Sequence, residues 1–558
     1  MAAGLLAAAS TGWCGAKDPV VANPINLNYQ FGMGGGDEQS RREAADPVIE
    51  MWNDDYYLFA SKSSGYWRSH DLASWEYIPA PSIATINEYA PTVCAIDGEF
   101  YFMTSDVNRI FKTQTPEDGN SWVEVECKFP IKQHDPCLWQ DDDGRVFLYW
   151  GCHDKEPIYG VEVDVTDGFA PKGDPVVLID HNIDKYGWEV PGAGNEETFH
   201  QGWNEGPAML KHDGRYYLQY AAPGTQWRIY GDGIYVGDSP LGPFTYMESN
   251  PFSFKPGGFI GGAGHGHTFR DRYGNLWHVA TMKISVRHWF ERRLGLFPVV
   301  LDSRKNTMHA VTEWSDYPFA IPQRRFDASK KPLSRGYKQL AAGTQVKASS
   351  VKPGHPAALA TDETVETWWA AGSGRKGEWL EVDLGRECRI ECIQPNFADD
   401  SMQVFAPYDF PVVYKYHIEA SSDGSAWSTI TDRSGNVSAD MPHELIVLDK
   451  PVKARYVRIV NDKDMDGNFS IYDLRVFGSD GHKPLDRKVS HTVKRDASDP
   501  RHISVEWIPV DGAERYIVRW GVAGCGTKPC SAEVRGSNML DARWYNRDTQ
   551  YDFEVTVY

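Results

Sequence analysis

At 558 residues the chain is too long for a single hydrophobic core, and at roughly 100 to 250 residues per domain it is expected to form three. Its 41% hydrophobic and 24% charged residues, with 20 Trp, 28 Tyr and 51 Gly, describe a globular, turn-rich, all-β chain. The net charge of -20 excludes nucleic acid, which is bound through Lys and Arg on phosphates, but leaves an oligo- or polysaccharide partner open. No apolar run of about 18 residues exists to form a transmembrane segment.

Met1 to Ser10 is apolar and rich in small residues, like the end of an export signal without its basic start. Residues 1–23 are read as a leader or export-signal remnant, and Cys14 as the position a lipoprotein cysteine would take. These point to a secreted, periplasmic or cell-surface protein. Nine Cys leave at least one unpaired. Cys388 with Cys392 and Cys525 with Cys530 invite a disulfide reading, the first less so because four extended residues overreach a bridge.

Five hairpins follow, each a polar turn leading into an aromatic strand: Asn53-Asp54-Asp55-Tyr56, Asp97-Gly98-Glu99-Phe100, Asp143-Gly144-Arg145-Val146, Asp213-Gly214-Arg215-Tyr216 and Tyr273-Gly274-Asn275-Leu276. Repeated at roughly 45 to 70 residues, they predict a five-bladed β-propeller over residues 24–330. Nine residues before the turn glycine stand Tyr89, Asp135, Glu205 and His265, and at the matching place in the shorter first turn stands Asp46. Innermost strands converge on the propeller axis, so five potent side chains are expected to meet there. A packed centre would carry apolar residues instead. Two carboxylates facing each other across a water suit glycoside hydrolysis, and a third nearby can hold one of them protonated. Trp67 and Trp203 are candidates for stacking on a sugar, with core packing as the alternative.

Arg42-Glu43-Ala44-Ala45-Asp46-Pro47-Val48, His134-Asp135-Pro136, Asn204-Glu205-Gly206-Pro207 and Gly264-His265-Gly266-His267 resemble, in order, the active-site motifs of glycoside hydrolase family 43. The resemblance implies that Asp46 is the general base, Glu205 the general acid and Asp135 the residue that tunes and orients the acid. It places His265 at the pocket floor, where relatives hold a structural calcium ion through a histidine and waters. No cofactor is otherwise required. Tyr89, His267 and Arg293 are the further candidates for substrate contact, Arg293 as the arginine of the final blade. The two catalytic carboxyls are expected roughly 6.5 to 9.5 Å apart, which makes the reaction inverting.

Residues 331–343 are polar and read as a linker. Residues 344–480, with Thr367-Trp368-Trp369, Trp379-Leu380-Glu381-Val382-Asp383-Leu384-Gly385 and Ala454-Arg455-Tyr456-Val457-Arg458-Ile459, resemble a discoidin, or coagulation factor 5/8 C-type, jelly roll of the kind found as family 32 carbohydrate-binding modules. Residues 484–558 resemble a fibronectin type III-like sandwich, with Tyr551 as its corner tyrosine. The resemblances imply an exo-acting glycosidase, expected to be a monomer, releasing a terminal furanose or pentose, with α-L-arabinofuranosidase foremost. β-Xylosidase, β-D-galactofuranosidase and exo-β-1,3-galactanase share the scaffold, and a noncatalytic glycan-binding adhesin is the alternative of another class. Removal of everything after about residue 335 is expected to spare small substrates unless the sandwiches pack tightly on the propeller.

Overall fold

A computed structural model describes residues 18–32, 41–402, 413–436, 441–482 and 485–558. The lipoprotein reading of Cys14 and the leader reading up to residue 17 lie outside these residues. The leader boundary at residue 23 falls too late. Val20–Val21 pairs with Phe319–Ala320, and the buried Asn23 side chain donates to the Leu296 carbonyl at 3.1 Å, so residues 18–23 belong to the propeller.

The described residues are all-β, with helix confined to short 3-10 turns. No helix among them is long and apolar enough to cross a membrane. Four blades begin at their innermost strands, Val48–Trp52, Thr92–Ile96, Cys137–Gln140 and Gly261–Arg270. The remaining blade has Asn204–His212 innermost, with the short Cys152–His153 added at its edge. Each innermost strand touches the next around the ring, and the fifth returns to the first. The turns do what their residues demand: Asn53 and Asp54 have φ of 48° and 69°, Asp97 and Gly98 49° and 82°, Asp213 and Gly214 48° and 76°. Such type I′ geometry needs two left-handed residues and favours Asn, Asp and Gly.

A sheet of eight strands, centred on Trp379–Phe397, forms the second body. The third has sheets of four and three strands, packed through Trp507, Tyr516 and Val518. In it the Tyr551 hydroxyl accepts from the Asn546 backbone N–H at 3.0 Å, five residues upstream. The expected disulfides are absent: all four thiols are free, with Cys530 buried against the Pro251 carbonyl at 3.4 Å. Nor is 331–343 a detached linker. The backbone of Ala320 donates to Leu333, and Lys338–Gln339 pairs with Phe477 and Gly478 of the eight-stranded sheet. Its polarity reflects exposed side chains, not an unpaired backbone.

Both sandwiches pack on the propeller. Val365, Ala398 and Tyr472 of the second body share a core cluster with Phe297 and Met282 of the last blade. Trp544 of the third packs on Phe254, with ring centroids 5.4 Å apart, and Arg519 pairs with Glu313 at 2.6 Å.

Candidate active site

Backbone kinks just before the inner strands or, at His265, within one aim the site residues. Asp46, Asp135 and His265 have φ of 52°, 50° and 43°, a left-handed conformation that Asp and His adopt more readily than most and that costs of order 1 kcal/mol or more. At Glu205 the same task falls to a register shift between Glu205 and Ala208, with Gly206 at φ 58°; such bulges re-aim a side chain. A methyl on Gly206 would lie 2.5 Å from the His265 ring, and one on Gly264 2.7 Å from the Tyr230 ring. These glycines are what allows the motifs to close together.

Hydroxyls peg neighbouring blades at the same level. Ser61 accepts from the Ala90 N–H at 2.8 Å, Ser105 from the Asp135 N–H at 2.7 Å and Thr281 from the Asp46 N–H at 2.8 Å. Two of them also hold carboxylates: Ser61 donates to Asp46 Oδ2 at 2.6 Å and Ser105 to Asp135 Oδ1 at 3.1 Å.

The kinks and pegs open a cavity of about 550 Å³, walled by Asp46, Tyr89, Asp135, Cys152, Trp203, Glu205, His265, Trp289, Phe290 and Arg292 among others. His265 Nδ1 stands 3.3 Å from Asp46 Oδ1 and 3.6 Å from Asp135 Oδ2. Asp135, Cys152 and Glu205 bring ligating atoms within 4.8 Å of one another. Glu205 Oε1 accepts from the Tyr230 hydroxyl at 2.5 Å and Oε2 from the Cys152 thiol at 3.2 Å.

These neighbours drive the carboxyls apart in acidity. Burial alone would raise Asp46, but the Arg292 guanidinium, 3.3 Å from its Oδ1, the His265 charge and the Ser61 hydrogen bond hold it below the ordinary carboxylate value. Among the described residues Glu205 makes no ion pair; burial first, then the Asp135 charge, push it up to about 7 against His265 and the Tyr230 hydrogen bond. Asp135 is raised as well, by burial and the Asp46 charge. Burial opposes a charge on His265, yet the carboxylates around it raise its pKa. One ring, a thiol and carboxylates already committed to Ser61, Ser105 and Arg292 do not by themselves make the six-to-eight-oxygen shell of calcium, so an ion here would be held through waters, with His265 as its protein contact.

Three expected contacts are elsewhere. Trp67 is fully buried inside the first blade, its ring 5.6 Å from that of Tyr77, because it belongs to a middle strand whose faces both pack. Arg293 is fully buried and turned away, donating to His443 Nε2 at 2.9 Å and to the Arg42 carbonyl at 3.0 Å. Its neighbour Arg292 faces the pocket. Thr281, which pegs Asp46, shares a strand face with Lys283, whose cross-strand partner is Arg292, whereas Arg293 pairs with Met282 on the other face. His267 lines a second cavity farther down the axis with Glu50 and Thr268, where burial lowers its pKa to about 4. The irregular register between Gly264 and His267 breaks the alternation that would have set it beside His265. Tyr89 and Trp203 do line the pocket, Trp203 40% exposed at its mouth. Arg292, Tyr230, Cys152 and Trp289 carried no motif of their own.

Residues 40–300 match the family model of glycosyl hydrolases family 43, and residues 345–473 that of the F5/8 type C domain. Among curated proteins, a beta-D-galactofuranosidase of Aspergillus niger is 26% identical over 259 residues, covering 40% of this chain and 68% of its own length. A xylan 1,3-beta-xylosidase of Vibrio sp is 25% identical over 273 residues, covering 42% of this chain and 47% of its own. Among solved structures, one described as a glycoside hydrolase aligns at a TM-score of 0.46 and 19% identity, over 78% of this chain and 97% of that one.

Proposed function

We propose, on the premise that residues 40–300 are a family 43 glycoside hydrolase domain, that this chain is an inverting exo-glycosidase with Asp46 as general base and Glu205 as general acid. The observation that carries the reading is the opposed acidity of the two carboxyls in one pocket, Asp46 held ionised by Arg292 and Glu205 kept protonated up to about 7. Two titratable groups pushed apart by their surroundings mark a base and an acid. Asp46 takes a proton from a water that attacks the anomeric carbon. Glu205 gives its proton to the glycosidic oxygen as the carbon–oxygen bond breaks on the opposite face. Asp135, within 4.8 Å of Glu205, keeps the acid protonated by like-charge repulsion. Neither step needs a metal.

We read the pocket as holding one terminal residue, with Trp203 and Trp289 at 40% and 60% exposure placed for what lies beyond it. We take α-L-arabinofuranose on an oligo- or polysaccharide as the sugar; β-xylosidase and β-D-galactofuranosidase, names that its relatives carry, and exo-β-1,3-galactanase are the alternatives. The chain is read as exported, and the last sandwich as a fibronectin type III-like spacer. A panel of 4-nitrophenyl arabinofuranoside, xyloside and galactofuranoside identifies the sugar. Glu205→Gln should then lose natural-glycoside hydrolysis almost wholly, while losing far less on an aryl glycoside whose leaving group needs no proton. Equal losses on both refute the acid assignment.

A further inference from the structure

The two segments that set the base both end on the F5/8 type C domain. The first, Arg42 to Asp46, begins with a fully buried arginine whose Nε and Nη2 grip Asp399 of that domain at 2.8 and 3.1 Å. Tyr414 of the same domain donates to the same carboxylate. On the propeller side the Arg42 guanidinium donates to the Tyr29 carbonyl at 2.8 Å, so the arginine is held from both sides, four residues before the base.

The second segment, residues 284–292, supplies the pocket wall and ends in Arg292. Arg287 within it donates to the Ala398 carbonyl at 2.6 Å, to the Asp399 carbonyl at 3.2 Å and to the Tyr472 hydroxyl at 2.8 Å. It also pairs with the fully buried Glu291. Asp399 thereby binds both segments, through its carboxylate to Arg42 and its carbonyl to Arg287. Directly beyond Arg292, Arg293 donates to His443 Nε2, so His443 carries its proton on Nδ1 and donates it to Asn396 Oδ1 at 2.9 Å. The segments then meet inside the pocket, where Arg292 bridges Glu43 Oε1 at 2.8 Å and Asp46 Oδ1 at 3.3 Å.

We infer that the F5/8 type C domain is a working part of the hydrolytic centre, with Asp399 and Tyr472 as positioning residues that fix Asp46 and Arg292 through Arg42 and Arg287. The inference rests on the proposed role of Asp46. The pocket-wall loop that carries Gly224 and Tyr230 also meets this domain, through the part-exposed pair of Arg228 with Glu366, but the buried charged contacts fall on the two segments that set the base, which a sugar-binding appendage or a spacer would not need. Displacing a base by an ångström costs catalysis on the order of a hundredfold while leaving substrate recognition largely alone.

The experiment compares wild type, Asp399→Asn and Tyr472→Phe on the 4-nitrophenyl glycoside that wild type cleaves fastest, a substrate too small to reach a separate binding face. Folded fraction is measured by circular dichroism at the assay temperature, and kcat is expressed per folded molecule. Asp399→Asn should lower kcat at least about tenfold, with KM changed by less than about twofold. Tyr472→Phe, which keeps the ring and removes only the hydroxyl, should lower kcat about threefold to tenfold and decides the matter if Asp399→Asn does not fold. Arg519→Ala, at the other sandwich's contact with Glu313, should leave kcat unchanged. Unaltered kcat in folded Tyr472→Phe and Asp399→Asn overturns the inference alone, and so does an equal loss in Arg519→Ala, which would show a general effect of loosened packing. A wild type inert on every glycoside overturns the hydrolase reading and this inference with it.

Discussion

Tyr230→Phe tests how the acid is tuned. The Tyr230 hydroxyl donates to Glu205 Oε1 at 2.5 Å, a bond that favours the ionised carboxylate and opposes the upward push of burial and of the Asp135 charge. The phenylalanine keeps the ring that packs against Gly264 and deletes only the donor. A hydrogen bond to a charged group contributes about 1.5–3 kcal/mol, and one pKa unit corresponds to about 1.36 kcal/mol. The full bond would therefore move the acid by about one to two units. The neutral acid also accepts some of that bond, so about one unit upward is expected. Glu205 must be protonated to act, and wild-type activity therefore falls as pH rises through about 7. In the variant the fall should come about one unit higher, read from kcat/KM against pH on an aryl glycoside. An alkaline limb that stays in place, or moves down, refutes the reasoning.

Arg292→Met should move the opposite limb. Without the guanidinium beside Asp46 the base protonates at higher pH, and activity on the acidic side is lost sooner; an unmoved acidic limb counts against the base assignment. The same change leaves Glu43, 1% exposed, without its closest cation and should cost about 3–5 kcal/mol in a urea melt. Truncation after residue 335 should abolish hydrolysis even of small aryl glycosides, because it removes Asp399 from Arg42 and His443 from Arg293, both fully buried; a fully active truncated chain would show that the domains are separable. Trp203→Ala and Trp289→Ala should each raise KM for an oligosaccharide about fivefold, as expected for about 1 kcal/mol of lost aromatic contact, with little change on the aryl glycoside.

What was legible in the sequence is what is set locally. Asp-Gly and Asn-Asp turns declare their left-handed geometry in their own residues, and a nearly constant distance from pocket to turn along the five inner strands makes a fixed offset point at Asp46, Tyr89, Asp135, Glu205 and His265. What was not legible depends on register and docking. Choosing Arg292 over Arg293 requires the pairing with Lys283 and Met282, which no local pattern supplies. His267 is two residues from His265 and would share its face on a regular strand, but the left-handed His265 and the shifted register send it to another cavity. Trp67 belongs to a strand covered on both sides, so its size reports packing and not a sugar. The grip of Asp399 on Arg42 joins residues 357 apart, and neither residue stands in a pattern that announces the other.

The measurement closest to the central claim is proton NMR of the first sugar released, recorded before the anomers equilibrate. A base at Asp46 that activates water, opposite an acid at Glu205, predicts that the product first appears with the anomeric configuration opposite to that of the substrate. A product that first appears with the substrate's own configuration would mean that a carboxylate attacks the sugar directly, and would contradict both the assignment of Asp46 and the mechanism built on it.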